Sequence, residues 1–167
     1  MEAATMDKTY FTELAEFNRA STAQVCSWLQ QISDEQWQQP VVSSFNSIRA
    51  TALHVVNAEN AWLQRLKKEP VVRLDQDFPG SRPELLALWE QTSRQFRDWM
   101  EGFDAIKLKE PFSYRRFNGQ EYTSRYYQVF AHVVNHATYH RGQLVTLLRQ
   151  VGFTAVQSTD LIGFYRE

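Results

Sequence analysis

Four stretches in which apolar residues return every third or fourth position dominate this sequence, and a bundle of helices is the natural way to bury them. The first runs from about Asp7 to Ile32, with Phe11, Leu14, Ala15, Asn18, Val25, Trp28, Leu29 and Ile32 on one stripe. Ser33-Asp34-Glu35 breaks it, and the segment to about Phe45 reads as a connection around Pro40 with room for one short helical turn. The second begins near Asn46 or Ser47, either of which can accept from the free amides of a first turn. Its inner face is Ile48, Thr51, Val55, Ala58, Trp62 and Leu66, and it stops before Pro70. Pro79-Gly80-Ser81-Arg82-Pro83 predicts a turn and a helix start, with Ser81 as cap and Glu84 three residues on. Leu85, Leu88, Trp89, Phe96, Trp99 and Met100 carry that third helix to Gly102.

Between Phe112 and Thr123 the texture changes. The run FSYRRFNGQEYT alternates aromatic and polar residues around Asn118-Gly119, which predicts a two-residue hairpin turn with positive φ at both positions. Phe112, Tyr114, Phe117 and Tyr122 are read as cover for the core, with a lid over one bundle end as the alternative. Thr123 or Ser124 is expected to cap a long fourth helix that ends before Gly152. The expected fold is therefore all-α, a four-helix bundle with a small β-hairpin-like insertion before the last helix, forming one domain over residues 1–167.

Composition narrows the function classes. With 43% hydrophobic and 14% aromatic residues in 167, the chain has the material for a substantial core. Lys and Arg total 18 against 19 Asp and Glu, so no basic excess argues for nucleic acid. The adjacent pairs Arg115-Arg116 and Lys67-Lys68 read as solvated surface. No apolar run approaches the length of a membrane span. The lone Cys26 has no internal disulfide partner and reads as a small core residue rather than a nucleophile. Together with the start MEAATMDKTYF, which lacks the features of a signal peptide, this leads to the expectation of a cytoplasmic protein.

Three of the four histidines, His132, His136 and His140, follow one another at spacings of four. Each step advances about 40° beyond a full helical turn and about 6 Å along the axis, so neighbours share a face and can converge on one ion. Such a pair alone is a weak signal, for which ordinary core or helix-surface histidines are the preferred reading; an upstream histidine on a second amphipathic helix narrows that preference. His54, on the second helix, is the remaining histidine and the natural third donor. Three neutral imidazoles with an open position suit zinc, nickel or another first-row divalent ion. His132 can stand in for His140 geometrically and stays a competing ligand at this point, though a structural role or one supporting the ligands from outside is its preferred reading. Ala137, Thr138 and Tyr139 separate His136 from His140, so no glutamate base of the metalloprotease type is present there. Glu59 points about 140° away from His54 and is a poor base, while Tyr126 and Tyr139 read as packing residues. Arg141 suits an anionic substrate group, but a salt bridge to a neighbouring helix is the preferred reading. Gln143 either orients a ligand imidazole or lies on the surface.

The segment Asn135-His136-Ala137-Thr138-Tyr139-His140-Arg141-Gly142-Gln143 resembles the NHxxxHRGQ signature of the DinB family, damage-inducible four-helix proteins associated with metal ions. The stretch Phe45 to His54, with Trp62 eight residues later, is similar to that family's second helix, and Ser158-Thr159-Asp160-Leu161-Ile162 with Tyr165 to its tail. The resemblance implies an up-down-down-up bundle, a divalent metal ion held by His54, His136 and His140, and a homodimer. Some relatives are similar to transferases that use low-molecular-weight thiols such as bacillithiol or mycothiol. The resulting expectation is a zinc- or nickel-dependent enzyme, either a thiol S-transferase with a small-molecule thiol substrate or a hydrolase, with no catalytic residue assigned. The rivals are a non-catalytic stress-response protein whose ion staples two helices together, and a metal-free bundle acting through a dimer surface.

Overall fold

The computed structural model describes residues 7–74 and 78–166. The first six residues, part of the N-terminal stretch read for a targeting signal, lie outside the described residues. Four long helices, α1 (Lys8–Gln31), α3 (Ile48–Leu66), α4 (Arg82–Glu101) and α5 (Tyr126–Gln150), are joined by a short α2 (Asp34–Gln38) and a 3-10 turn at Ala105–Lys109. A two-stranded antiparallel sheet, β1 (Pro111–Arg115) and β2 (Glu121–Arg125), precedes α5, and a one-turn α6 (Leu161–Phe164) follows it. None of the described helices is long and apolar enough to cross a membrane.

Short polar side chains start the helices where the pattern predicts. Asp7 accepts from Thr9 N–H, Ser47 from Ala50 N–H and Ser81 from Glu84 N–H, each satisfying an amide that the first turn leaves free. Ser81 and Glu84 close a reciprocal capping box, with Pro83 in the first turn where its missing N–H costs nothing. Ser33 and Gln36 do the same for α2, the helical turn expected in the Pro40 connection.

The two core clusters give the helix directions. One gathers Val25 and Leu29 from the end of α1, Ile48 and Val55 from the start of α3, Leu85 and Trp89 from the start of α4, and Leu144 and Leu148 from the end of α5. The other gathers Phe11 and Leu14, Leu63 and Leu66, Phe96 and Met100, and Val129 and Phe130 from the opposite ends of the same helices. Hence α1 and α5 run one way and α3 and α4 the other, the up-down-down-up order. The parallel pair α3 and α4 needs a connection that returns along the whole bundle, and residues 67–81 are long enough to span a 19-residue helix of about 28 Å. Each long helix packs on two others, in the cyclic order α1, α4, α3, α5.

The start of the last long helix differs from expectation. Thr123 and Ser124 do not cap it; both belong to β2, where Thr123 pairs with Ser113 through hydroxyls 2.8 Å apart and Ser124 lies opposite Phe112. Arg125 stands at the cap, and the Gln128 side chain accepts from its backbone N–H. The hairpin turn is also longer than two residues. Arg116 N–H donates to the Gln120 carbonyl and Gly119 N–H to the Arg116 carbonyl, and only Gly119 has positive φ (83°) while Asn118 does not. This is a turn over Phe117 and Asn118 followed by a left-handed glycine, a three-residue loop whose twist also suits a hairpin. It places the Phe117 ring at the tip, facing α3.

Candidate metal centre

Helices α3 and α5 lie side by side, and His54 meets His136 and His140 across their interface. The Nε2 atom of His136 lies 3.2 Å from Nε2 of His54 and 3.2 Å from Nε2 of His140. All three donor atoms lie within 4.8 Å of one another. One imidazole nitrogen carries either a single proton or a single in-plane lone pair, so the His136 nitrogen cannot form a good hydrogen bond to both neighbours at once. As ligands the three fit well. Nitrogens held at about 2.0–2.1 Å around a tetrahedral ion stand about 3.3 Å apart, close to the spacing seen.

The neighbours of the cluster favour lone pairs pointing inward. His140 is buried, and its Nδ1 lies 2.7 Å from Gln143 Oε1, so Nδ1–H donates and Nε2 keeps its lone pair toward the centre. The other end of the Gln143 amide faces Ser44 Oγ and the Tyr139 hydroxyl, each at 3.4 Å. Burial pushes the His136 pKa down to about 4, assisted by the other imidazoles around it, so that ring is neutral at pH 7. Phe45, in the loop before α3, stacks on His54 with centroids 4.4 Å apart and an interplanar angle of 27°. In the sequence Phe45 marks the end of a connection and the start of the family-like stretch; its contact with the histidines depends on how the loop folds back.

His132 does not join the cluster. It packs edge-on against Trp62 (5.3 Å between centroids), and burial together with the charge of Arg116 lowers its pKa. One turn from His136, it lies along the wall of an adjoining cavity.

Arg141 and Glu59 are absent from that wall. Arg141 is only 1% exposed and donates to Asn18 Oδ1 and Thr138 Oγ1, with its guanidinium 5.3 Å from the Phe17 ring. Asn18 in turn donates to Glu59, whose second oxygen accepts from the Trp89 indole N–H. Both readings of Arg141 are corrected: burial keeps it from any substrate, and its charge reaches the Glu59 carboxylate through Asn18 rather than by a direct bridge. This buried relay joins α1, α3, α4 and α5 at mid-height and so fixes the height of His54 against His136. Burial raises the Glu59 pKa, opposed by Asn18, Arg141 and Trp89, and lowers that of Arg141 to about 10.

Beside the histidines opens a cavity of about 880 Å³ between α3, α5 and the hairpin, with His54 and His136 at one end. Ala58 and Trp62, expected in the core, form its floor on α3. The hairpin aromatics divide: Phe112 is buried core, whereas Tyr114, Phe117 and Tyr122 face the cavity. Arg116, read as solvated surface, stands on its rim with Arg65, a residue that sequence reasoning missed. Cys26 is buried, and its thiol pKa is driven upward by burial, in keeping with a core role.

A family model described as the DinB family matches residues 5–165. Protein DinB of Bacillus subtilis (strain 168) is 22% identical over 151 residues, covering 86% of this chain and 87% of its own. Among solved structures, a DinB-like protein from Bacillus cereus ATCC 10987 superposes with a TM-score of 0.63 at 20% identity, over 83% of this chain and 90% of that one. YfiT from Bacillus subtilis, described as a probable metal-dependent hydrolase with an unusual four-helix bundle topology, superposes with a TM-score of 0.71 at 13% identity, over 92% and 94%.

Proposed function

The chain belongs to the DinB family, and on that premise we propose that it is a divalent-metal-dependent enzyme with His54, His136 and His140 as ligands. The observation that carries this reading is the convergence of three Nε2 atoms beside an open cavity. When bound, a zinc or nickel ion supplies Lewis acidity that brings a coordinated water or thiol close to deprotonation at neutral pH. Gln143 holds His140 in the ligating tautomer, Phe45 limits the swing of the His54 ring, and the relay through Glu59 keeps the two helices in register. The cavity gives a small molecule access to His54 and His136.

Two reactions suit this arrangement. Hydrolysis is what YfiT's description suggests. Transfer to a low-molecular-weight thiol is favoured by the cavity's volume, near the upper end of the range for small-molecule sites; it has room for a thiol and an electrophile together. In either reaction a bound ion would supply its Lewis acidity to the nucleophile rather than serve only as a staple. The test loads chelator-treated protein with zinc or nickel and assays it on a 4-nitrophenyl ester, and on 1-chloro-2,4-dinitrobenzene with a small thiol. Metal-dependent turnover in one assay, lost in His136→Ala, is the expected outcome. Stoichiometric metal without turnover in either assay returns the ion to a structural role.

The Gln143 contact makes a separate forecast. Gln143→Leu removes the acceptor for His140 Nδ1–H and is expected to weaken metal affinity about 10–100-fold. Competition with a chromogenic chelator measures this, and unchanged affinity rejects the orienting role.

A further inference from the structure

The cavity over the histidines is a trough whose far end is cationic. Its floor follows one face of α3, where His54, Ala58, Ala61, Trp62 and Arg65 recur at spacings that keep side chains in line. Arg65 thus stands about 16 Å along the helix from His54. Its guanidinium lies 4.9 Å from the Trp62 ring and 5.3 Å from the Phe117 ring, and its Nε–H donates to the Arg115 carbonyl at 3.1 Å. Stacked on two aromatics and anchored along one edge, the fork is held in a single plane with its terminal N–H groups at the trough. Arg116 reaches the same end from the hairpin, 5.7 Å over Tyr122, and Arg73 lines it too, 4.9 Å from the Phe117 ring centroid. Burial lowers the Arg65 pKa, Tyr114 opposes that shift, and the charge of Arg116 adds to it in smaller measure. No Asp or Glu is among the described residues that line the trough.

We propose that Arg65 and Arg116 form an anion subsite at the hairpin end of the trough, holding the carboxylate or phosphate of an elongated small molecule. Its flat or apolar middle lies along Trp62 and Tyr114, and its reacting end reaches the histidine centre at His54 and His136. The proposal rests on the reading of those histidines as the reacting centre, and it adds the substrate's class: an anionic molecule with its charge roughly a trough's length from the reacting atom. Planar, stacked arginines pair with two oxygens of such a group, which a neutral analogue cannot reproduce.

Calorimetric titration of the chelator-treated full chain with indole-3-butyrate and with indole-3-butanamide tests this. Without metal, a preference for the acid cannot come from coordination to an ion. The acid is expected to bind about tenfold more tightly than the amide, as for hydrogen bonds to a charged group. The preference should fall in R116Q, which alters an exposed hairpin residue, and vanish in R65Q/R116Q, while R65K keeps part of it. It should persist in His136→Ala, because the subsite is remote from that ring. Equal binding of acid and amide by the wild type overturns the proposal. So does a preference that survives R65Q/R116Q or disappears in His136→Ala. A chain that keeps the acid preference but takes up no zinc or nickel when these are added back refutes the metal assignment and leaves the subsite standing.

Discussion

Replacing His136 with alanine is expected to release the divalent ion almost completely, a larger effect than any other single change at the centre. Its Nε2 is the shared vertex, 3.2 Å from both His54 and His140. Without it, two imidazoles on different helices remain, and the loss should exceed the ~10–100-fold typical of a residue that only supports a ligand. His54→Ala should approach the same result, because α5 by itself offers only an i, i+4 pair. His132→Ala should retain the ion, since that ring packs on Trp62 outside the cluster. Elemental analysis of purified variants, with thermal unfolding in the presence and absence of metal, reads all three. Undiminished metal content in both His54→Ala and His136→Ala means the ion is bound elsewhere. In the wild type, added metal should raise the unfolding temperature, because only the folded chain presents the three donors together.

The second large effect lies in the polar relay. Arg141→Met fills similar space but leaves Glu59 buried without its balancing cation, and should destabilise the fold by about 3–5 kcal/mol. Urea unfolding measures it. Glu59 remains 3% exposed, hydrogen-bonded to Asn18 and Trp89. Its pKa is already raised by burial, and Arg141 is one of the groups lowering it. Losing the cation raises the folded-state pKa further above the unfolded value. A carboxyl so shifted costs nothing below the unfolded pKa, and its penalty grows as pH rises toward the folded one. The variant's deficit should therefore be smaller near pH 4 than near pH 7. Glu59→Gln in the same chain should recover part of the loss, because the charge that lacked a partner is gone. A deficit independent of pH, or one unchanged by Glu59→Gln, shows that packing rather than charge is at stake.

Much of this fold is written in short-range pattern. Apolar residues three and four apart dictated the long helices, and Ser47, Ser81 and Glu84 marked two of their starts, because capping is a matter between neighbours in the chain. The HxxxH spacing on α5 likewise brings His136 and His140 together, since both sit on one rigid helix. The hairpin was legible from Asn118-Gly119, but not its loop length: where the turn closes depends on which residues the strands pair, and Ser113 with Thr123 drew that boundary. The same pairing took Thr123 and Ser124 away from the helix cap.

The sequence by itself determined that four amphipathic helices would bury their apolar stripes, and that two histidines on the last would present their rings together. Helix periodicity is local, and those facts follow from it. Only the tertiary structure decided how His54 is brought within reach of that pair, that His132 stays outside the cluster, and that Trp62, still packed against the core on one side, floors a trough together with Arg65. It also placed Arg141 deep in the relay with Asn18 and Glu59, where no substrate reaches. Those outcomes depend on which faces of α3 and α5 meet and at what height. That docking is set by contacts between residues far apart in the chain, which no spacing along one helix encodes.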